Sequence, residues 1–221
     1  SHQQLFNFLN STMEPWDGDN EDCDHRKQKY TKKTYIIQVE FIEIILEYLE
    51  KCLQKSIENF PQLDGSVAAL SDNSGSAWGH FTSSYGKVVM AEIGNLSALF
   101  TAYRAKERGV VYLFGDEICE YVVDKNKPLL VQYNEITALG KTVGKCTENG
   151  VWLFFKNAFK DKTKFDHWFC YSDMQVGHGC LFGKDAEIKE QGFGWNFMYI
   201  DIHKLVAKYR MEINPRLNTY M

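Results

Sequence analysis

The chain has 221 residues, 44% hydrophobic and 24% charged, proportions that exclude disordered, collagen-like and disulfide-scaffold classes. Its 25 Lys and Arg face 29 Asp and Glu, so it lacks the broad positive field of a stand-alone nucleic-acid binder. No apolar run approaches the roughly 20 residues that cross a bilayer, and no membrane partner is expected.

The chain opens on Ser1-His2-Gln3-Gln4, without an initiator Met or a signal-peptide apolar core, and reads as part of a longer protein. Leu5 to Leu9 suggests a short apolar element, broken by Pro15-Trp16-Asp17-Gly18. An acidic run (Asp17, Asp19, Glu21, Asp22, Asp24) then meets a basic one (His25, Arg26, Lys27, Lys29, Lys32, Lys33). Adjacent blocks of opposite sign read as a solvated loop, ahead of an RNA contact through the basic half and Tyr30. The six cysteines form no CxxC pair, and reduced thiols in the cytoplasm are expected.

From Tyr35 to Asn59 the pattern is helical. Ile42, Ile45, Leu46, Leu49, Leu53 and Ile57 make one apolar stripe, with Glu43, Glu47, Lys51, Lys55 and Glu58 opposite. Phe60-Pro61 ends it. Residues 1–60 are therefore expected to form a helical N-terminal segment, and residues 61–221 a separate α/β domain.

Within that domain the elements alternate. Gly65 to Ser71 predicts a buried strand, and Val88 to Tyr103 an amphipathic helix. Val110 to Phe114 predicts a strand, with Glu120 to Val123 another beside it. Ile136 to Val143 and Val151 to Phe159 read as helices, and Phe165 to Tyr171 as a third apolar run. Ile202 to Ile213 is helical, Pro215 stops it, and Arg216 to Met221 opens a last strand. Such alternation predicts an open, mainly parallel sheet with helices on both faces, its ligand site outside the carboxyl ends of the strands.

Three loops there are rich in oxygen. They are Asp72-Asn73-Ser74-Gly75-Ser76, Cys146-Thr147-Glu148-Asn149 and Ser172-Asp173. Carboxylates and hydroxyls without imidazole or thiolate pairs suit a hard cation, Mg²⁺ or else Mn²⁺ or Ca²⁺. The alternation in Asp-x-Ser-x-Ser lets Asp72, Ser74 and Ser76 turn toward one point.

Rival motifs are weaker. Ser84-x-x-Lys87 matches a serine-hydrolase pattern without its companion motifs. No glycine-rich phosphate loop occurs, so dinucleotide and P-loop chemistry lack their cradle. Asp22-Cys23-Asp24-His25 and His178-Gly179-Cys180 each lack a second pair to complete a soft-metal site. Asp116 and Glu117, adjacent on an extended segment, point opposite ways and make a poor acid–base pair.

Asp-x-Ser-x-Ser at Asp72, a distant Thr147 and then Asp173 resemble the metal-ion-dependent adhesion site of the von Willebrand factor A fold. Further stretches narrow the resemblance: Ala77-Trp78-Gly79, Ile93-Gly94-Asn95-Leu96-Ser97, Phe114-Gly115-Asp116, Tyr171 to Gly179, Tyr199-Ile200-Asp201 and Leu205 to Arg210. Together they are similar to the A domain of Ro-type proteins carrying the TROVE module, over roughly Leu63 to the end. The resemblance implies that Ser74, Ser76 and Thr147 offer hydroxyls to a Mg²⁺, with Asp72 and Asp173 acting directly or through water. Asp116 and His178 would line the rim or stand behind the ligands.

It also implies a non-catalytic binding module whose cation keeps a position open for a partner's carboxylate. In that family a helical-repeat ring binds small structured RNAs. The ring is missing from this chain, so RNA is expected to bind through the full-length protein and not through this part. The family pattern also continues beyond Met221 into another strand and helix, which would leave the sheet edge incomplete. An extracellular adhesion-type A domain and a metal-dependent hydrolase on a Rossmann-like sheet are the alternatives.

Overall fold

In the computed structural model, which describes residues 33–83, 86–146, 149–172, 194–195 and 199–221, helix α1 spans Lys33–Glu58. The chain divides into two compact units, Ser1–Glu47 and Tyr48–Met221, with the boundary inside this helix. The described residues of the first unit, 33–47, are helical throughout. The apolar element over Leu5 to Leu9 and the acidic and basic runs up to Lys32 lie outside the described residues. In the second unit the apolar stripe of α1 is covered at Leu53 and Ile57, whereas Leu49 stays about half exposed. Asn59 and Phe60 donate back to Ser56 and Ile57 in a closing turn ahead of Pro61.

Val67, Leu70 and small or polar neighbours make the central strand, β1 (Val67–Asp72), which is buried along its whole length. A two-stranded hairpin follows, β2 (His80–Ser83) with β3 (Gly86–Val89), and then α2 (Met90–Tyr103). Val88 and Val89 thus belong to a strand, where the sequence pattern starts the helix. Next come β4 (Gly109–Phe114), β5 (Ile118–Val122), α3 (Leu129–Gly140), α4 (Gly150–Asp161) and β6 (His167–Tyr171). A short antiparallel pair, β7 (Gly194–Trp195) and β8 (Tyr199–Ile200), precedes α5 (Ile202–Glu212) and β9 (Asn218–Tyr220).

Five strands form one mixed sheet in the order β5-β4-β1-β6-β9. β1 pairs parallel with β4 and β6, and β6 pairs parallel with β9; β5 returns antiparallel along β4 as a hairpin. The arrangement is α/β, mostly parallel, and compatible with a Rossmann-like fold.

Alternation along the central strands sorts the core into two layers. Ala68, Leu70, Val110 and Phe114 face α4 and α5, where Val151, Trp152, Phe155, Leu205 and Tyr209 are buried. Ala69, Val111 and Leu113 face α2 and α3, meeting Ala98, Leu99, Ala102 and Ile136. Helices therefore cover both sides, and the carboxyl ends of β1, β4 and β6 share one edge.

The opposite edge is tied by polar groups. Asp166 accepts from the Ser66 N–H at 2.9 Å and the Ser66 hydroxyl at 3.0 Å. The buried Tyr209 hydroxyl accepts from the Phe165 N–H and donates to the Thr163 carbonyl, both at 2.8 Å. Burial pushes that phenol up to about 12, so it stays a donor at ordinary pH.

Candidate metal centre

Asp72 is the last residue of β1 and is only 3% exposed. Its Oδ1 accepts the Ser74 N–H at 2.8 Å, so the chain turns over its own carboxylate. That turn brings the hydroxyls of Ser74 and Ser76 to 3.1 Å from each other. From the end of β6, the Ser172 hydroxyl donates to Asp72 Oδ2 at 3.1 Å. One carboxylate and three hydroxyls thus meet at the carboxyl edge of the central strand.

Asn73 points the other way. It is fully buried, and its side chain donates to the Ser71 carbonyl and bonds with Asn95 of α2. Gly140, at the end of α3, lies so close that a Cβ there would stand 2.1 Å from Asn73 Oδ1. Burying Asn73 is what leaves Asp72 and Ser74 on the opposite side of the loop. Asn95 is itself fully buried in α2, so the triplet Asn95-Leu96-Ser97, though it has the form of an N-glycosylation sequon, is no surface acceptor.

The loop after α3 is held against the same edge. Gly75 donates its N–H to the Lys145 carbonyl at 3.1 Å, and Asn149 donates its N–H to the Gly115 carbonyl at 3.0 Å. Asp116 Oδ2 accepts the Cys146 N–H at 3.3 Å. Gly144 takes φ 85°, and a Cβ there would fall 2.3 Å from Asp116 Oδ2. Asp116 therefore fastens the loop that carries Thr147.

Of the expected site residues, Asp72, Ser74 and Ser76 stand together after β1. Thr147, Asp173 and His178 lie outside the described residues; Cys146, Asn149 and Ser172, which are described, stand at this edge. The sequence pattern places Ser172 in an oxygen-rich loop without marking it as a partner of Asp72, and it does not mark the Asn73–Asn95 anchor. Ser172 was signalled by its place beside Asp173. The anchor was signalled by an Asn inside an otherwise apolar helical face.

Among the described residues, no group of three or more His, Cys, Asp or Glu stands together, and no helix is long and apolar enough to cross a membrane. A thiolate or imidazole site is thus not formed by them. The donor set present, one buried carboxylate among hydroxyls, fits a hard cation that keeps part of its water shell. No protein-family model matches the chain, and no curated protein matches it. The neighbouring Tyr171 phenol is raised by burial and shares a 2.5 Å hydrogen bond with the Thr101 hydroxyl. Burial keeps it neutral at ordinary pH, against the lowering effect of that hydrogen bond.

Proposed function

We propose that the chain is a non-catalytic binding module of the von Willebrand factor A type, related to the A domain of Ro-type ribonucleoproteins. The observation that carries this reading is the meeting of Asp72, Ser74, Ser76 and Ser172 at the carboxyl edge of β1. The strand order, with its one antiparallel hairpin at the β5 edge, supports the same reading. Asp72, Ser74, Ser76, Thr147 and Asp173 would hold Mg²⁺, with Mn²⁺ or Ca²⁺ as substitutes, and Asp116 would position the Thr147 loop. The bound ion would supply a positive, exchangeable position for a partner's Asp or Glu. RNA would be bound by another part of the parent protein.

Calorimetric titration with Mn²⁺ tests the reading. Asp72→Ala should abolish the binding heat while circular dichroism stays that of the parent. Equal Mn²⁺ affinity in the two proteins overturns the site.

A further inference from the structure

At the amino end of β6, away from the cradle, α4 and the sheet leave a cavity of about 120 Å³ between them. Whole ligands usually take roughly 300–1,000 Å³, so this one has room for the end of a single side chain. Its wall includes three aromatic rings, Tyr112, Phe154 and Phe165, and two carboxylates, Glu120 and Asp161. The rings meet steeply: Tyr112 with Phe154 at 75° and 5.0 Å between centroids, and Tyr112 with Phe165 at 88° and 6.1 Å. Phe154 and Phe165 are buried while Glu120 and Asp161 are exposed, so a charged rim stands over an aromatic floor. The Tyr112 hydroxyl donates to Glu120 Oε2 at 3.3 Å, and burial and that charge together push the phenol up and keep it neutral. Among the described residues neither carboxylate joins an ion pair. Arg108 holds its guanidinium 5.8 Å from the Phe165 ring centroid, so one ring of the group already has a cation against it.

We propose that this cavity seats the ammonium of a lysine side chain carried by a partner protein. Aromatic rings attract cations through their negative faces and carboxylates attract them by charge, so floor and rim favour the same ligand. The wall would repel an anion, and an apolar group would leave both charges unanswered. Rings set nearly at right angles make a corner and not a slot, which suits a compact ammonium better than a planar guanidinium. The three N–H donors of that ammonium find acceptors in Glu120, Asp161 and the Thr163 hydroxyl, which is also in the wall. A flexible four-carbon stem lets the charge reach the floor while the partner's backbone stays outside. The seat shares no residue with the cradle and does not depend on a metal ion there.

The test titrates the protein with end-blocked Gly-Lys-Gly, Gly-Arg-Gly and Gly-norleucine-Gly, and with methylammonium chloride, followed by amide NMR. The lysine peptide should bind tighter than the norleucine peptide by on the order of 10-fold, with shifts centred on Glu120, Asn157, Asp161 and Thr163. Glu120→Gln with Asp161→Asn, isosteric changes at exposed positions, should remove that advantage while circular dichroism stays that of the parent. Equal binding of the lysine and norleucine peptides, or shifts centred elsewhere, overturns the inference. An arginine peptide that binds as tightly as the lysine peptide overturns the choice of ammonium. Methylammonium binding tighter than the lysine peptide would give the seat to a free amine, and overturns the protein partner.

Discussion

Asn73 and Asn95 hold each other by both ends of their amides. Asn73 Nδ2 donates to Asn95 Oδ1 at 2.9 Å, and Asn95 Nδ2 donates to Asn73 Oδ1 at 3.1 Å. The Ser71 hydroxyl adds a third bond to Asn95 Oδ1 at 2.8 Å. All three residues are fully buried, so no water can replace a lost partner without rearrangement.

Asn95→Leu should therefore be costly. It orphans the Asn73 amide oxygen and the Ser71 hydroxyl, each worth about 1–3 kcal/mol when left unpaired. Urea unfolding should show a loss of at least about 2 kcal/mol. Mn²⁺ affinity should fall as well, since Asn73 no longer pins the loop. A loss of less than about 0.5 kcal/mol would mean the pair is not a structural anchor.

Glu50 closes a second long-range contact. Its Oε1 accepts the Leu129 N–H at 2.6 Å and its Oε2 accepts the Leu130 N–H at 2.9 Å, so a side chain of α1 caps α3. Gln54 steadies it by donating to Oε1 at 3.1 Å. Carboxylates at helix N-termini satisfy free N–H groups and complement the helix dipole. Glu50→Ala should cost about 1–2 kcal/mol in thermal or urea unfolding. An unchanged midpoint would show that water serves those N–H groups equally well.

Asp166 gives the fold an acid sensitivity. The Ser66 N–H, the Ser66 hydroxyl and the Asn214 amide donate to its carboxyl, and with Lys164 nearby they hold it below the usual carboxylate range. A carboxyl depressed in the folded state stabilises above its unfolded value, near 3.9, and that stabilisation fades as pH falls through the folded value. Stability should thus drop below about pH 4, and Asp166→Asn should flatten that part of the profile. Urea midpoints between pH 2.5 and 7, run on both proteins, check it; parallel profiles would refute the assignment.

Much of the fold was legible because its strands are continuous apolar runs and its helices carry a 3.6-residue stripe. β1, β4, β6, α4 and α5 fall close to where the pattern puts them. The start of α3 did not. The spacing predicts a helix over Ile136 to Val143, whereas the observed helix begins at Leu129, directly after Pro128. Its cap, Glu50, lies 79 residues upstream of Leu129, beyond any local motif. The β2–β3 hairpin was hidden for a related reason: Val88 and Val89 suit the first turn of α2 as well as a strand. At the site, the hydroxyl spacing after Asp72 announced its own geometry. The Ser172 contact, 100 residues away, could come only from the parallel pairing of β1 with β6.

The bond from the Gly75 N–H to the Lys145 carbonyl joins the loop after β1 to the loop after α3. With Asp116 fixing Cys146 and Asn95 fixing Asn73, these described parts of the cradle are ordered by folding itself. An entering ligand need not meet the entropy of arranging those loops, about 1–2 kcal/mol for each backbone residue immobilised. For the ion proposed above, that saving would appear as affinity, the general effect of preorganisation.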